Sequence, residues 1–290
     1  MTKYLILFSF FGIWISHFID KQNQIILGFI LIITFGILHG CNDLILIAKE
    51  NNYLYNIYNL LAKYILVLFA FSVLFYNFKV LGFLIFILIS AYHFGEQHLP
   101  LLKNNNFKYS YYLFRFSYGF SILSILMSFH ATEVSEIIFE MITYKISEIV
   151  FKFIVAITIL SDIVLYFINK KLLKNNFNEL FEIFLLLLFT MIFKLTPLIW
   201  GFSLYFIIWH SIPSIKSQCE YLYNDFTLKT LLYYIKAGIA TWVVSVIVLL
   251  FYFIFLNSNI MIETILFCFI AAITFPHVLT IFYLFNKKTE

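Results

Sequence analysis

The sequence predicts an all-α membrane protein, a polytopic bundle of transmembrane helices that forms a single integral membrane domain over residues 1–290. Hydrophobic residues make up 63% of the chain and charged residues 12%, and the mean hydropathy is +0.95. So little polar surface cannot cover a water-soluble globule. The apolar residues also occur in long runs that match the thickness of a bilayer, which favours helices that span it.

Polar breaks divide the chain into ten apolar segments of roughly membrane-crossing length, although eight or nine spans are also consistent with the pattern. The seventh segment is short, and the third and fourth are separated only by residues 76–79. The first run, residues 4–19, is interpreted as a span because Asp20 and Lys21 follow it where a signal peptide would have small residues. The breaks lie at 20–24, 49–59, 77–79, 96–110, 131–148, 169–179, 194–197, 214–229 and 257–259.

Positive charges indicate how these spans are oriented. With ten spans and both termini on one side, 14 of the 19 Lys and Arg residues lie on that side and 5 on the other. Cytoplasmic loops are enriched in Lys and Arg, so this distribution favours ten spans with cytoplasmic N- and C-termini. We therefore expect a bacterial-type inner membrane as the location and the lipid bilayer as the environment.

Three smaller features concern possible partners, the cysteines and the membrane surface. The Lys and Arg residues are scattered between apolar runs, so nucleic acid is not an expected partner despite the net charge of +4. Cys41, Cys219 and Cys268 have no CxxC spacing, which indicates free thiols or small core residues. The segment 131–148 carries four Glu residues between apolar ones, and this pattern predicts an amphipathic helix on the outer surface.

Four histidines occur singly in spans two, four, eight and ten, which all run in the same direction in this topology. Three of them lie 10 residues before a cytoplasmic Lys and the fourth lies 6 residues before one. At about 1.5 Å per helical residue, all four share one layer in the cytoplasmic half of the bilayer. Ionisable residues at this depth usually face a bundle interior, and neutral imidazole binds Fe, Zn or Cu. The predicted metal ligands are His39, His93, His210 and His277.

Two carboxylates are placed to orient these imidazoles. Asp43 lies at i+4 from His39, and Glu96 lies at i+3 from His93, so each pair would share a helical face. A metal-bound histidine usually needs a hydrogen-bonding partner on its other ring nitrogen. We therefore expect Asp43 and Glu96 to be those partners.

The other three histidines do not join this layer. His17 and His130 lie at the outer ends of spans one and five, which indicates interfacial residues. His98 lies at the inner edge of span four. We expect it to be a solvated loop residue, with a role at the site entrance as the alternative.

Four local motifs surround the candidate ligands, and their order resembles the Brp/Blh family of membrane β-carotene 15,15′-dioxygenases. Each motif alone is weakly specific. The ordered set covers the chain from span two to span ten and is more specific than any single motif. The motifs are His39-Gly-Cys-Asn-Asp43, Tyr92-His93-Phe-Gly95-Glu96, Trp209-His210-Ser211 and Pro276-His277.

The resemblance implies a four-histidine Fe(2+) site that uses dioxygen to cleave the central double bond of β-carotene, or a related carotenoid, and to form retinal. His39, His93, His210 and His277 would be both the iron ligands and the catalytic residues. Production of retinal would make a retinal-binding rhodopsin a candidate partner. The 38 Phe, 20 Tyr and 4 Trp could line an apolar tunnel for the substrate, although a Phe-rich surface facing lipid would have the same composition.

The chain also departs from the family pattern. Some members carry a histidine where this chain has Leu44, and some carry one where it has Ser214. Two alternatives therefore remain: a haem-binding membrane protein, and a non-catalytic transporter or opsin-associated relative whose ionisable residues serve proton coupling or binding.

Overall fold

The structure, a computed structural model, describes residues 1–51, 56–99, 109–173, 177–255 and 261–287. Within these ranges the chain is helical and has no strand, which confirms the predicted all-α class. Two short π-helices, Ile32–Gly36 and Phe206–Ser211, interrupt the α-helices. The α-helices are α1 (Thr2–Ser16), α2 (Lys21–Leu31), α3 (Asp43–Glu50), α4 (Ile57–Asn77), α5 (Lys79–His98), α6 (Tyr109–Phe129), α7 (Ala131–Ile142), α8 (Glu148–Leu173), α9 (Glu179–Leu195), α10 (Leu198–Tyr205), α11 (Ile212–Tyr223), α12 (Leu228–Phe255) and α13 (Ile262–Lys287).

The lengths of the described helices confirm a polytopic membrane protein. Seven helical segments are long and apolar enough to cross a membrane, and the continuous segment Leu198–Tyr223 is one of them. Thr2–Ser16 and Lys21–Gly36 are shorter apolar helices. The count of ten spans and their orientation remain predictions. Four charges used for that orientation lie outside the described residues: Lys103, Lys108, Lys174 and Lys288.

Helix starts are set by short polar side chains at the predicted breaks. The Asp20 carboxylate accepts a hydrogen bond from the Asn23 backbone N–H at 3.0 Å, which caps α2. This hydrogen bond, together with one from the Asn23 side chain, lowers the pKa of Asp20. The Asn56 side chain accepts a hydrogen bond from the Tyr58 N–H at 2.9 Å and caps α4 in the same way. Such caps satisfy N–H groups that have no partner within the helix.

Two of the long apolar segments are not regular α-helices. The second predicted span contains the π-helix Ile32–Gly36 and then a turn at residues 39–42, so it is not the continuous helix that the sequence pattern suggested. The π-helix Phe206–Ser211 precedes Pro213, which has no N–H to donate to the carbonyl four residues earlier. π-Helices often occur at functional sites; the first of these ends three residues before His39, and the second contains His210.

The predicted amphipathic helix is present as α7. Its buried residues recur at helical spacing, as shown by Val134, Ile138 and Met141, while Glu136 is exposed. The helix ends at Ile142 because Thr143 adopts a left-handed conformation with φ of 58°. It is therefore shorter than the predicted segment 131–148, and its apolar face is covered by the protein itself.

The chain divides into two compact units, each of which is described by itself. Unit 1 comprises residues 1–29, 87–139 and 143–209, and unit 2 comprises residues 30–86, 140–142 and 210–290. In unit 1, α6 packs along α8. The Ser121 hydroxyl donates to the Asp162 carboxylate at 2.5 Å, and Ser124 lies 3.1 Å from the Thr158 hydroxyl. Small polar side chains thus join these helices by hydrogen bonds.

Also in unit 1, the backbones of α5 and α6 touch where two glycines face the neighbouring helix. A Cβ atom on Gly95 would lie 1.8 Å from the carbonyl oxygen of Arg115. One on Gly119 would lie 1.9 Å from the carbonyl oxygen of Ala91. Only glycine permits this approach, which is typical of packed membrane helices. The contact holds the His93 segment of α5 against α6.

Unit 2 has its core around the turn at residues 39–42. Ile37 and Cys41 pack with Leu249 of α12 and with Ile265 and Phe269 of α13. A second cluster contains Leu38, Ile215, Cys219 and Tyr234. All three cysteines are free thiols, as the sequence predicted.

Candidate metal centre

Three of the four predicted ligands come together in unit 2. The His39 and His210 ring centroids are 5.0 Å apart, and those of His39 and His277 are 4.7 Å apart. The exposed fractions are 7% for His39, 1% for His210 and 4% for His277. His39 lies at the turn after the first π-helix, His210 lies in the second π-helix, and His277 lies in α13. The fold therefore buries three imidazoles side by side.

A carboxylate and a phenol orient His277. The Nδ1 atom of His277 lies 2.9 Å from Oδ1 and 3.1 Å from Oδ2 of Asp43. The Tyr64 hydroxyl donates to Oδ2 of Asp43 at 3.0 Å. Because a carboxylate can only accept, Nδ1 of His277 carries the proton and its Nε2 has the lone pair that can bind a metal.

The structure corrects the predicted partner of Asp43. The i+4 spacing paired Asp43 with His39, but the turn at residues 39–42 breaks the helical register between them. The His39 Nδ1 instead contacts the carbonyl oxygen of Gly36 within its own chain segment, and Asp43 contacts His277. A hydrogen bond from Nδ1 to the Gly36 carbonyl leaves Nε2 of His39 as the ligand atom.

A hydrogen-bond network holds the backbone of His39. The Gln218 amide donates to the His39 carbonyl oxygen at 2.8 Å, and the Tyr234 hydroxyl lies within hydrogen-bond range of the same oxygen at 3.1 Å. The Tyr234 hydroxyl also lies 2.8 Å from the Gln218 amide oxygen. Asn42 donates to the backbone carbonyl of Tyr234 at 3.0 Å. These side chains satisfy a carbonyl in the buried turn, where an unpaired group would be costly.

Glycine and serine allow close packing around the cluster. A Cβ atom on Gly40 would lie 3.4 Å from Nδ1 of His277. One on Gly238 of α12 would lie 2.9 Å from the Cβ atom of Cys41, so α12 approaches the turn closely. Ser214, one turn after His210, is buried and accepts a hydrogen bond from Gln218 at 2.9 Å. Ser214 thus belongs to the network that holds His39.

The fourth predicted ligand, His93, lies in α5 and belongs to unit 1. It is 5% exposed, and its Nδ1 lies 3.5 Å from Oε2 of Glu96. The other oxygen of Glu96 accepts a hydrogen bond from Arg115 at 3.1 Å, and Arg115 also donates to the Tyr92 hydroxyl at 3.0 Å. Glu96 therefore adjoins His93, as the i+3 spacing predicts, and Arg115 balances its charge.

The remaining histidines differ from one another. His98 was expected to be solvated, and that prediction is wrong, since its ring packs against Tyr118, Phe189 and Tyr205. The His98 Nδ1 lies 3.9 Å from the Glu182 carboxylate. Directly after α6, burial lowers the pKa of His130, and the adjacent Glu133 opposes this shift.

The donor set in unit 2 fits a transition-metal ion. His39 and His277 each offer a ring nitrogen within 4.8 Å of the other, and both rings have Nδ1 engaged by an oxygen atom. Buried imidazoles of this kind suit Fe, Zn or Cu. Tyr64, Gln218 and Tyr234 were not predicted from the sequence because the residues that they contact, Asp43 and His39, lie 21 to 195 positions away.

Comparison with known proteins identifies the family. The model of the family described as beta-carotene 15,15′-dioxygenase matches residues 30–285, which include all four motifs around the histidines. No curated protein and no solved structure matches the chain. The family match supports carotenoid dioxygenase activity in general. The protein therefore belongs to the beta-carotene 15,15′-dioxygenase family.

Proposed function

We propose that this protein cleaves the central double bond of β-carotene, or of a related carotenoid, with dioxygen and forms retinal. The supporting observation is the buried cluster of His39, His210 and His277 in unit 2, with ring centroids 4.7 and 5.0 Å apart. In the proposal these residues and His93 hold an Fe(2+) ion. His93 is included because of its predicted depth in the bilayer and its place in the His-Phe-Gly motif.

The residues next to these histidines would fix the orientation of the rings. Asp43 and Tyr64 hold His277, while the Gly36 carbonyl holds the ring of His39. Gln218 and Tyr234 hold the backbone of His39. Ligands with locked rotamers bind a metal without first losing conformational freedom. Glu96, held by Arg115, would orient His93 in the same way.

The reaction balances with the carotenoid and dioxygen alone and needs no reductant. One dioxygen molecule supplies one oxygen atom to each of the two carbons of the cleaved double bond, and each half leaves as an aldehyde. A bound Fe(2+) ion would supply the coordination positions and redox chemistry that dioxygen requires. The protein contributes neutral donors, buried surroundings and an apolar environment for the polyene.

The membrane setting follows from the chemistry of substrate and product. A carotenoid dissolves in the hydrocarbon layer, so a protein whose described residues include seven membrane-length helices meets it there. In the proposal the location is a bacterial-type inner membrane, and a rhodopsin is the recipient of the retinal formed.

Retinal formation in a host that accumulates β-carotene tests this proposal. Chromatography of cell extracts should show retinal with the wild-type chain and none with His277→Ala or His93→Ala. Iron analysis of the purified proteins should show metal in the wild type and a loss in each variant. Wild-type protein that folds, lacks iron and yields no retinal would contradict the proposal, and a Soret band would point to haem.

A further inference from the structure

A row of buried hydroxyl groups lies between α6 and α8 in unit 1. On α6 the row comprises Ser117, Ser121 and Ser124, which are spaced by four and three residues and so share one helical face. On α8 it comprises Thr158, and Asp162 lies one turn further along the same helix. All five residues are at most 8% exposed. The hydroxyl row and the carboxylate are therefore enclosed by the protein.

Asp162 lies near the middle of a membrane-length helix. It is 14 residues after Glu148 and 11 residues before Leu173, the two ends of α8, or about 21 and 17 Å at 1.5 Å per residue. The helix is long and apolar enough to cross a membrane. A carboxylate at that depth is costly, and such residues usually face a partner or a bound ion. Asp162 therefore needs an interaction that offsets the cost of its burial.

The hydroxyl groups of α6 supply only part of that interaction. The Ser121 hydroxyl donates to Oδ2 of Asp162 at 2.5 Å, and the Ser117 hydroxyl lies beside the same carboxylate. The Oδ1 atom is buried and has no hydrogen-bond partner among the described residues. The ion pairs formed within the described part of the chain do not include Asp162. A buried negative charge without a positive partner is strongly unfavourable.

The atoms around the carboxylate are oxygens. The Thr158 carbonyl oxygen lies 3.4 Å from the Ser117 hydroxyl, and the Thr158 hydroxyl lies 3.1 Å from the Ser124 hydroxyl. Carboxylate, hydroxyl and carbonyl oxygens bind hard cations, whereas imidazole and thiolate suit transition metals. One carboxylate balances one positive charge, so a monovalent cation would leave the helix pair neutral. Carbonyl oxygens and intramembrane carboxylates bind Na+ in this way in transporters.

We propose that Asp162 and the hydroxyl row bind a Na+ ion between α6 and α8. The ligands are Oδ1 of Asp162, the hydroxyl oxygens of Ser117 and Ser121, and the Thr158 carbonyl oxygen. The carbonyl belongs to this set because Ser117 contacts both it and the carboxylate. The close approach of Ser121 to Asp162 favours Na+ over the larger K+. The site shares no residue with the histidine cluster, and its occupation does not depend on carotenoid cleavage.

Thermal unfolding of the purified wild-type protein in detergent tests this site. The midpoint is measured in NaCl, KCl and choline chloride at equal concentration and pH. We expect a saturable rise of about 3 to 6 °C in NaCl relative to choline chloride, the shift expected for a ligand present at about ten times its Kd. Retention of radioactive ²²Na+ by the protein measures binding directly and should reach about one ion per chain.

Variants assign the ion to its ligands. Asp162→Asn removes the charge and should abolish both the Na+-dependent rise and the retention of ²²Na+. Ser121→Ala removes one oxygen and should weaken retention by about tenfold. Asp225→Asn, at an exposed aspartate after α11, is the matched control and should keep both signals.

Two results would overturn the proposal. Equal midpoints of the wild type in NaCl and choline chloride, without retained ²²Na+, would show that Asp162 is buried as a neutral acid. Retention by Asp162→Asn equal to that of the wild type would place the ion elsewhere. The comparison of salts uses the wild-type protein, so it decides the question even if Asp162→Asn fails to fold.

Discussion

Asp43 and His277 form a buried contact of 2.9 Å across 234 residues of sequence. The carboxylate lies at the first turn of α3, and the imidazole lies on α13 directly after a proline within that helix. The pair determines which nitrogen of His277 can bind a metal, because the proton stays on the atom that faces the carboxylate.

Asp43→Asn should weaken metal binding without unfolding the protein. The amide keeps the size of the side chain but removes the charge that orients His277. Loss of such a partner typically lowers metal affinity by about 10- to 100-fold. Iron content, or titration of the metal-free protein with Co(2+), measures the effect. Asp225→Asn is the matched control because Asp225 is exposed after α11, and equal affinities in both variants would contradict the assignment.

Gln218→Leu should destabilise the turn that carries His39. The substitution leaves the buried His39 carbonyl without its amide donor, at a cost of about 1 to 3 kcal/mol. The midpoint of thermal unfolding should fall, and iron content should fall with it because the backbone of His39 can shift. Gln22→Leu changes an exposed glutamine of α2 and is the control. A variant with a lower midpoint but full iron content would show a purely structural role for Gln218.

His98→Phe should retain iron, whereas His93→Phe should lose it. His98 is surrounded by aromatic rings, and the Glu182 carboxylate beside it accepts a separate hydrogen bond from Tyr118 at 2.7 Å. A phenyl ring can fill the same space, so we expect a change in stability of less than about 1.5 kcal/mol. Metal analysis of the two variants side by side provides the measurement. Equal loss of iron in both would place His98 in the metal site.

Gly119→Ala should disrupt the packing of α5 on α6. The added methyl group would lie 1.9 Å from a backbone oxygen of α5, so the helices must separate, which costs about 1 to 3 kcal/mol or more. The control Gly12→Ala meets only the flexible end of Leu204, at 2.5 Å, and should be milder. Thermal unfolding compares the two variants. Equal midpoints would show that α5 and α6 do not require contact between their backbones.

Much of the architecture could be predicted because it depends on local composition. Hydrophobic runs of bilayer length identify membrane helices wherever they occur, and Asp20 and Asn56 mark helix starts through hydrogen bonds within a single turn. The amphipathic pattern of α7 is local in the same sense. The pairing of His93 with Glu96 also follows from helical spacing, since α5 is regular at that point.

By itself, the sequence determined the helical membrane class and the histidines that stand alone in apolar segments. Only the tertiary structure decided that Asp43 orients His277, that Gln218 and Tyr234 hold His39, and that the aromatic residues of unit 1 enclose His98. The physical reason is that helical periodicity relates residues a few positions apart. The turn at residues 39–42 ends that periodicity, and contacts between distant helices depend on how their side chains pack.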